Sequence, residues 1–433
     1  MEVACSMKQI IKGFVSASTA KKMLSIILAA IFLTAFTYAP MPASAAGISV
    51  KVLVEPTAFD FTPVGGFYDG LAAVINEDWK IGYVDKTGKF VIPPEYDGIG
   101  NVGAENFSEG MVIVRKGRDY TGGKYGFIGK TGNIIVPLEY DYVDNFSEGL
   151  ASVGKGSDWE NMKYGFIDKN GKVVVPLEYN RVGNFSEGLA SVGKGSGWEN
   201  MELGFIDKTG KVVVPLEYDF ARNFSEGLAG VGKGDWENRK YGFIDKTGKV
   251  VVPLEYDHVG SFREGLAMAV KNEKVGYIDK NGEIIVPFEY DAVPDDLDGG
   301  YIERYFSDGL VIVNKNGKYG YINKTGKVVV PLEYEYAWNF SEGLAAVRKN
   351  EKRGYIDKSG KVIIPFEYED GGNFNDWPFT EGLAALNKSS RSGYLDKTGA
   401  VVVPFEYNGV YPFSEGLAWV GKDGKWGILQ IAD

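Results

Sequence analysis

Cysteine and histidine are almost missing from this chain of 433 residues: Cys5 and His258 are the single example of each. One thiol and one imidazole cannot build a disulfide framework, a Cys/His zinc site or a cysteine nucleophile with a separate base partner. Beyond residue 45 no apolar run approaches the length of a membrane span, and no segment keeps the apolar period of an amphipathic helix. A content of 44% hydrophobic and 24% charged residues still excludes a wholly disordered chain. What the chain has in excess is glycine, 58 residues, together with 26 Tyr and 25 Phe. That balance belongs to many short strands joined by tight turns.

Residues 1–45 read as an export signal. Lys8, Lys12, Lys21 and Lys22 form a basic leader, opposed only by Glu2; an apolar run from Met23 to Ala39 follows, and Ala43-Ser-Ala45 supplies a small-x-small cleavage pattern. A retained N-terminal anchor is the alternative. Cys5 precedes the apolar run, so it cannot be a lipidated cysteine that follows one. Cleavage near Ala45 would take the net charge from −11 to −14, a surface that repels phosphate backbones and anionic lipid heads. The expectation is a secreted or non-covalently surface-associated acidic monomer, without a membrane span in the mature chain and without a nucleic-acid partner.

Three landmarks recur in fixed order and decide the organisation. The first is Phe-Ser-Glu-Gly-Leu-Ala, clearest at Phe146, Phe185, Phe224, Phe340 and Phe413, with variants at Phe67, Phe107, Phe262, Phe306 and Phe379. The second, Tyr-Gly-Phe/Tyr-Ile-Asp-Lys-Thr-Gly-Lys, places glycines at 82, 126, 165, 204, 242, 276, 320, 354 and 393, with Trp426-Gly427-Ile428 as a tenth. The third is Val-Val-Pro-x-Glu-Tyr, with prolines at 93, 137, 176, 215, 253, 287, 331, 365 and 404. Landmark glycine to proline is always 11 residues. From Phe to glycine is 14 or 15 in six units but 18 or 19 in those starting at Phe107, Phe146, Phe185 and Phe224. Proline to the next Phe is 9, except 14 after Pro93 and Pro365 and 19 after Pro287. Insertions are therefore confined to two surface loops, and the constant stretch is a hairpin.

Local chemistry agrees. In Tyr241–Pro253 an aromatic and β-branched run meets a polar turn and a second β-branched run. Asp245 is placed to cap that turn, Gly248 to take positive φ, and Pro253, lacking an N–H, to mark an edge or strand end. A third short strand follows each first landmark, as in Gly188–Val192.

The second and first landmarks together resemble the WG, or KWG, repeat family of bacterial proteins, and Lys425-Trp426-Gly427 is its literal form. The resemblance covers about residues 64–433; most units have Tyr where the family name has Trp. It implies β-stranded tandem repeats in exported or surface proteins, implies no general enzymatic activity, and carries over almost no functional residues.

The expected fold is all-β: tandem three-stranded repeats of about 34–44 residues, with 1–45 as signal peptide, 46–63 as an N-terminal lead-in and 64–433 as the array. Nine full units and partial ends favour an open, elongated β-solenoid-like stack. A β-propeller, in which Phe413–Leu429 completes a blade opened near Val64, is the alternative.

Carboxylates recur in every unit: Glu148, Glu187 and Glu226; Asp168, Asp207 and Asp245; Glu178, Glu217 and Glu255. A group that every unit needs caps turns or joins units, whereas a hydrolytic acid pair is needed once. No calcium loop is present in Asp168-Lys-Asn-Gly171, which lacks the alternating acids and distal glutamate. His258 occupies a variable position, and no serine has a base at a recognisable spacing. Neither metal, cofactor nor catalytic residue is expected.

The candidate binding groups lie in the extended first loops: Trp159, Glu160 and Asn161; Trp198, Glu199 and Asn200; Trp236, Glu237 and Asn238; and Tyr120 in the unit before. In stacked repeats such loops line up, and indole faces beside carboxylates and amides suit the C–H patches and hydroxyls of sugar rings. A cell-wall or other polysaccharide, bound through repeated weak contacts, is the expected ligand. The competing reading is a structural module, or one that binds an extracellular protein, whose indoles seal the core. The one-off loops at Pro294–Gly300 and Asn373–Pro378 read as solvated excursions.

Overall fold

A computed structural model describes residues 48–97, 106–117, 122–158, 160–197, 200–235, 237–292, 304–369 and 378–432. The export-signal segment 1–45 lies outside them, as do 294–300 and most of 373–378. The described residues contain strands and no helix, in nine antiparallel sheets. Seven sheets with four strands or three hold one repeat each, one seven-stranded sheet holds the first two, and the last sheet closes with the N-terminal strand. Ten units result, numbered here in chain order.

The third unit shows the plan. Leu150–Lys155 pairs with Lys163–Asp168, which pairs with Val173–Tyr179, while the two-residue strand Tyr142–Val143 adds to the other side of Leu150–Lys155. This is the expected three-stranded unit with a short fourth strand. Tyr164 faces Tyr179 but Phe166 faces Val175, so the proline-bearing strand bulges between them. A Cβ on Gly165 would lie 2.3 Å from the Val175 carbonyl oxygen and 2.7 Å from Pro176 backbone atoms. The bulge thus presses onto a position only glycine can hold, and proline at the bulge gives up no ladder hydrogen bond. One steric contact explains why glycine and proline keep their constant separation.

The polar turn is capped as expected. Asp245 Oδ1 accepts the Thr247 N–H at 2.9 Å and the Lys249 N–H at 3.1 Å, and Gly248 has φ of 86°.

Neighbouring units are joined at the Phe-Ser-Glu-Gly element. Ser147 and Leu150 exchange backbone bonds around Glu148 (φ 54°) and Gly149 (φ 85°), a two-residue turn with both central residues left-handed. Holding a glutamate there costs backbone energy. In return, Glu148 Oε2 accepts the Gly188 N–H at 3.0 Å and meets Lys208 Nζ at 3.1 Å, both from the next unit. Ser147 Oγ donates to the Phe185 carbonyl at 2.8 Å, and Phe166 meets Phe185 edge to face at 4.8 Å. The core accordingly sits between units: Leu150, Phe166, Val175 and Tyr179 of one pack with Phe185, Ala190, Val192 and Ile206 of the next.

The same link recurs across the last junction. Glu415 accepts the Gly70 N–H at 2.9 Å and pairs with Lys86, and Ser414 Oγ donates to the Phe67 carbonyl. Val50–Phe59 is the outer strand of the C-terminal sheet, pairing with Lys425–Ile431. Val54 faces Ile428 and Phe59 faces Trp426, the places that Val252 and Tyr256 hold in the fifth unit, with one residue inserted. Pro56 backbone atoms lie 2.5 Å from a Cβ built on Gly427, the bulge contact again. Phe67, Phe59 and Phe61 pack around Trp419 in this seam.

The all-β tandem-repeat expectation holds. Of its two arrangements, these contacts belong to the closed one: the ends of the array meet, and the open stack is corrected to a ring of units, with no sheet among the described residues curling into a barrel. Within the 46–63 lead-in, Val50–Phe59 likewise proves to be part of the array, because it forms the outer strand of the tenth unit's sheet.

Candidate functional site

Antiparallel alternation puts the Phe-Ser-Glu-Gly and Asp-Lys-Thr-Gly turns of a unit at one end of its strands and the connection between its second and third strands at the other. That second end differs around the ring. The sixth to tenth units close it with two-residue turns, Asn272-Glu273, Asn316-Gly317, Asn350-Glu351, Ser389-Ser390 and Asp423-Gly424, all at positive φ. The first five carry longer connections, and the anticipated binding residues belong to these except Asn200, which opens the strand Asn200–Asp207.

Trp159, Trp198, Glu199, Trp236 and Tyr120 lie outside the described residues. Glu160, Asn161, Asn200, Glu237 and Asn238 are exposed. Asn161 gives its backbone N–H and its Nδ2 to Asp158 Oδ1, both at 2.9 Å, and Asn238 does the same with Asp235 at 2.9 and 3.0 Å. These two asparagines therefore shape their own turns. The hydrogen bonds from Asn161 also hold the Asp158 carboxyl below its usual range. In the fourth unit glycine replaces that aspartate, and the hairpin extends until Ser196 faces Asn200.

Between the third and fourth loops is a cleft of about 190 Å³. Tyr142 and Tyr164 line one side, their rings edge to face at 5.2 Å. Met201 and Arg181 come from the fourth unit, Gly195 and Gly197 leave room, and Glu160 and Asn180 border it. Asn180 Oδ1 accepts from Lys163 Nζ at 3.0 Å, which seats the crossover between units. Removal from water, then the Asp144 carboxylate and Tyr164, push the Tyr142 hydroxyl up to about 12, so it is a neutral donor near pH 7. Burial and the Arg239 charge lower the Arg181 guanidinium from its ordinary value. An apolar wall with donors and acceptors around it can grip a small polyhydroxylated ring. The sequence named only Glu160 of these as a binding residue; Tyr164 sits in a hairpin strand whose pattern reads as core, and Tyr142 and Arg181 stand in strands of two residues.

A further residue escaped the sequence reading. Trp79 occupies the corresponding connection of the first unit and is 77% exposed. Its signal was small: Phe67 to Gly82 is 15 residues where the other short units have 14.

Of the recurring carboxylates, Asp168, Asp207 and Asp245 cap turns, Glu148, Glu187 and Glu226 accept a glycine N–H of the next unit, and Glu178, Glu217 and Glu255 pair with Lys194, Lys233 and Lys271 of the next unit. Among the described residues no group of three acidic, histidine or cysteine side chains is placed to hold a metal ion, and no helix is long and apolar enough to cross a membrane.

The class defined is an all-β tandem-repeat ring, with its long connections grouped on one arc. The model of the WG-containing repeat matches residues 81–120, 125–159, 164–198, 204–235, 241–274, 276–319, 319–352, 354–376 and 393–426, and the chain belongs to that family. No curated protein matches the sequence. Among solved structures, the computationally designed Ika8 protein is similar at 15% identity, covering 73% of this chain and 98% of its own, with a TM-score of 0.35. BamB from Moraxella catarrhalis is similar at 11% identity over 67% of this chain and 93% of its own, at 0.33. A puromycin hydrolase gives 11% over 62% of this chain, at 0.32, with the match spanning 55% of its own length. At such scores the fold rests on its own strand pairing.

Proposed function

We propose that this protein is a non-catalytic, exported scaffold that binds a cell-wall or other polysaccharide through the long connections of its first five units. The observation that carries this reading is the cleft between the third and fourth units. It combines an aromatic pair, Tyr142 and Tyr164, with Glu160, Asn180 and Arg181, between two loops that each bear a tryptophan. A sugar ring offers apolar C–H faces to tyrosine and hydroxyls to the polar rim. Corresponding loops on neighbouring units supply further weak contacts to the same polymer, so retention grows with its length. The basic leader, apolar run and small-x-small site support export, and retention at a surface would be non-covalent.

The test is co-sedimentation of the protein with insoluble peptidoglycan and polysaccharides, beside a Trp159/Trp198/Trp236→Ala variant whose fold is checked by circular dichroism. The expected result is binding by the parent chain and its loss in a folded variant. A parent chain that sediments with none of them removes the carbohydrate reading and leaves a protein partner as the better account.

A further inference from the structure

The turn that carries Trp79 has the hydrogen bonding of the Asp-Lys-Thr-Gly turns. The Asn76 N–H donates to the Lys80 carbonyl and the Trp79 N–H to the Asn76 carbonyl, both at 3.0 Å. Asn76 Oδ1 accepts from the Asp78 N–H at 3.0 Å and the Lys80 N–H at 2.8 Å. In the third unit Asp168, Asn170, Gly171 and Lys172 repeat this arrangement bond for bond, and Gly171 takes φ of 79°. Trp79 stands at the glycine's place, with φ of 60°.

A bulky residue in left-handed backbone is an outlier that a surface turn has no structural reason to keep, since glycine sits there without strain. Nor does packing account for it: the indole is exposed and has no ring contact among the described residues. Strain held without return in stability points to use. The same turn's Asn76 and Glu77 border an open groove of about 370 Å³ that also meets Phe61, Phe90 and Asp60. Phe61 and Phe90 stand edge to face at 5.6 Å.

We infer that Trp79 is a second carbohydrate contact, an indole platform on the first unit that receives another ring of the polymer held at the cleft. This rests on the polysaccharide reading and extends it. The cleft and the platform belong to different units of one arc, so a long chain can engage both while a short oligosaccharide occupies the cleft alone. The gain is then one of effective concentration, and it is lost without touching the cleft.

The experiment compares the full chain with Trp79→Gly. Calorimetry measures affinity for a tetrasaccharide, and co-sedimentation measures it for the parent polymer to which the full chain binds. The expected result is unchanged tetrasaccharide affinity, polymer affinity lower by about tenfold or more, and a thermal midpoint equal to or above that of the parent. Equal polymer binding by both proteins overturns the role of Trp79 and leaves the cleft reading standing. No polymer binding by the full chain overturns both. A fall in tetrasaccharide affinity would make Trp79 part of the cleft and overturn its assignment as a separate contact.

Discussion

Two kinds of glycine do different work in every unit, and single substitutions separate them. Gly165 faces the bulge of its own proline-bearing strand, and an added methyl would sit 2.3 Å from the Val175 carbonyl oxygen. Backbone cannot rotate away as a side chain would, so Gly165→Ala should overpack the sheet by about 1–3 kcal/mol. Gly149 has open space around its Cβ position but φ of 85°. Gly149→Ala should cost only the left-handed conformation, about 1–2 kcal/mol. Thermal unfolding of the two variants beside the parent chain checks both values. The distinguishing result comes from Gly149→Asn, which tolerates left-handed backbone and should recover part of the loss. Gly165→Asn should be worse than Gly165→Ala. Recovery by asparagine at Gly165 would show that conformation, not the bulge, fixes that glycine.

At the scale of the element, the inter-unit turn depends on charge. The Lys169 hydrogen bond, outweighing burial and aided by the Gly149 N–H, holds the Glu109 carboxyl below its ordinary value of 4.5. For Glu148, Glu226 and Glu342 burial pushes the other way, but the lysine of the following unit and a glycine N–H prevail and the value is again lowered. A carboxyl depressed on folding contributes stability that is complete above its unfolded value and is lost as pH falls through the folded one. The thermal midpoint should therefore hold from pH 7 to about 5 and then drop steadily through the acid range. The groups are partly exposed, so added salt should flatten the drop. A midpoint that stays level to pH 3 would mean the links are Ser–carbonyl bonds and ring packing alone.

The same elements show what could be read in advance. The hairpin, its capped turn and the third strand were legible because glycine, proline and aspartate each answer a local demand, repeated without insertion. Inter-unit use of the repeated glutamates was legible because a task shared by all units cannot be a single active site. The strand Val50–Phe59 was not, because one inserted residue disguises its Val-Val-Pro-x-Glu-Tyr pattern and its partner lies at the far end of the chain. Trp79 was hidden by the opposite cause: its connection is one residue longer than the short ones and passes for one of them. The cleft residues Tyr142 and Arg181 stand in two-residue strands, too short to carry a pattern. Chain closure and a cleft between units are relations among distant segments, and local periodicity holds no record of them.

For the whole molecule, closure changes the energetics. Each unit buries its apolar surface only against its neighbours, so an open array would leave two faces uncovered, while the ring covers both with the aromatic seam around Trp419. The N-terminal strand is the fastening: Lys51 faces Gln430, and Val50 faces Ile431. Replacing Lys51 and Gln430 by cysteine, in a chain with Cys5→Ser, should give an intramolecular disulfide on mild oxidation. Under denaturing, non-reducing electrophoresis that product is a closed loop and should migrate faster than the reduced chain. By holding the ends together in the unfolded state the bond should stabilise the ring by up to about 5 kcal/mol, read as a raised thermal midpoint that reducing agent abolishes. An open stack would keep the two cysteines apart at its opposite ends, giving free thiols or disulfides between chains. Cross-linking that is purely intermolecular at low protein concentration would therefore reject the ring. A fast-migrating monomer would tie the first strand to the last in solution and establish the closed ring.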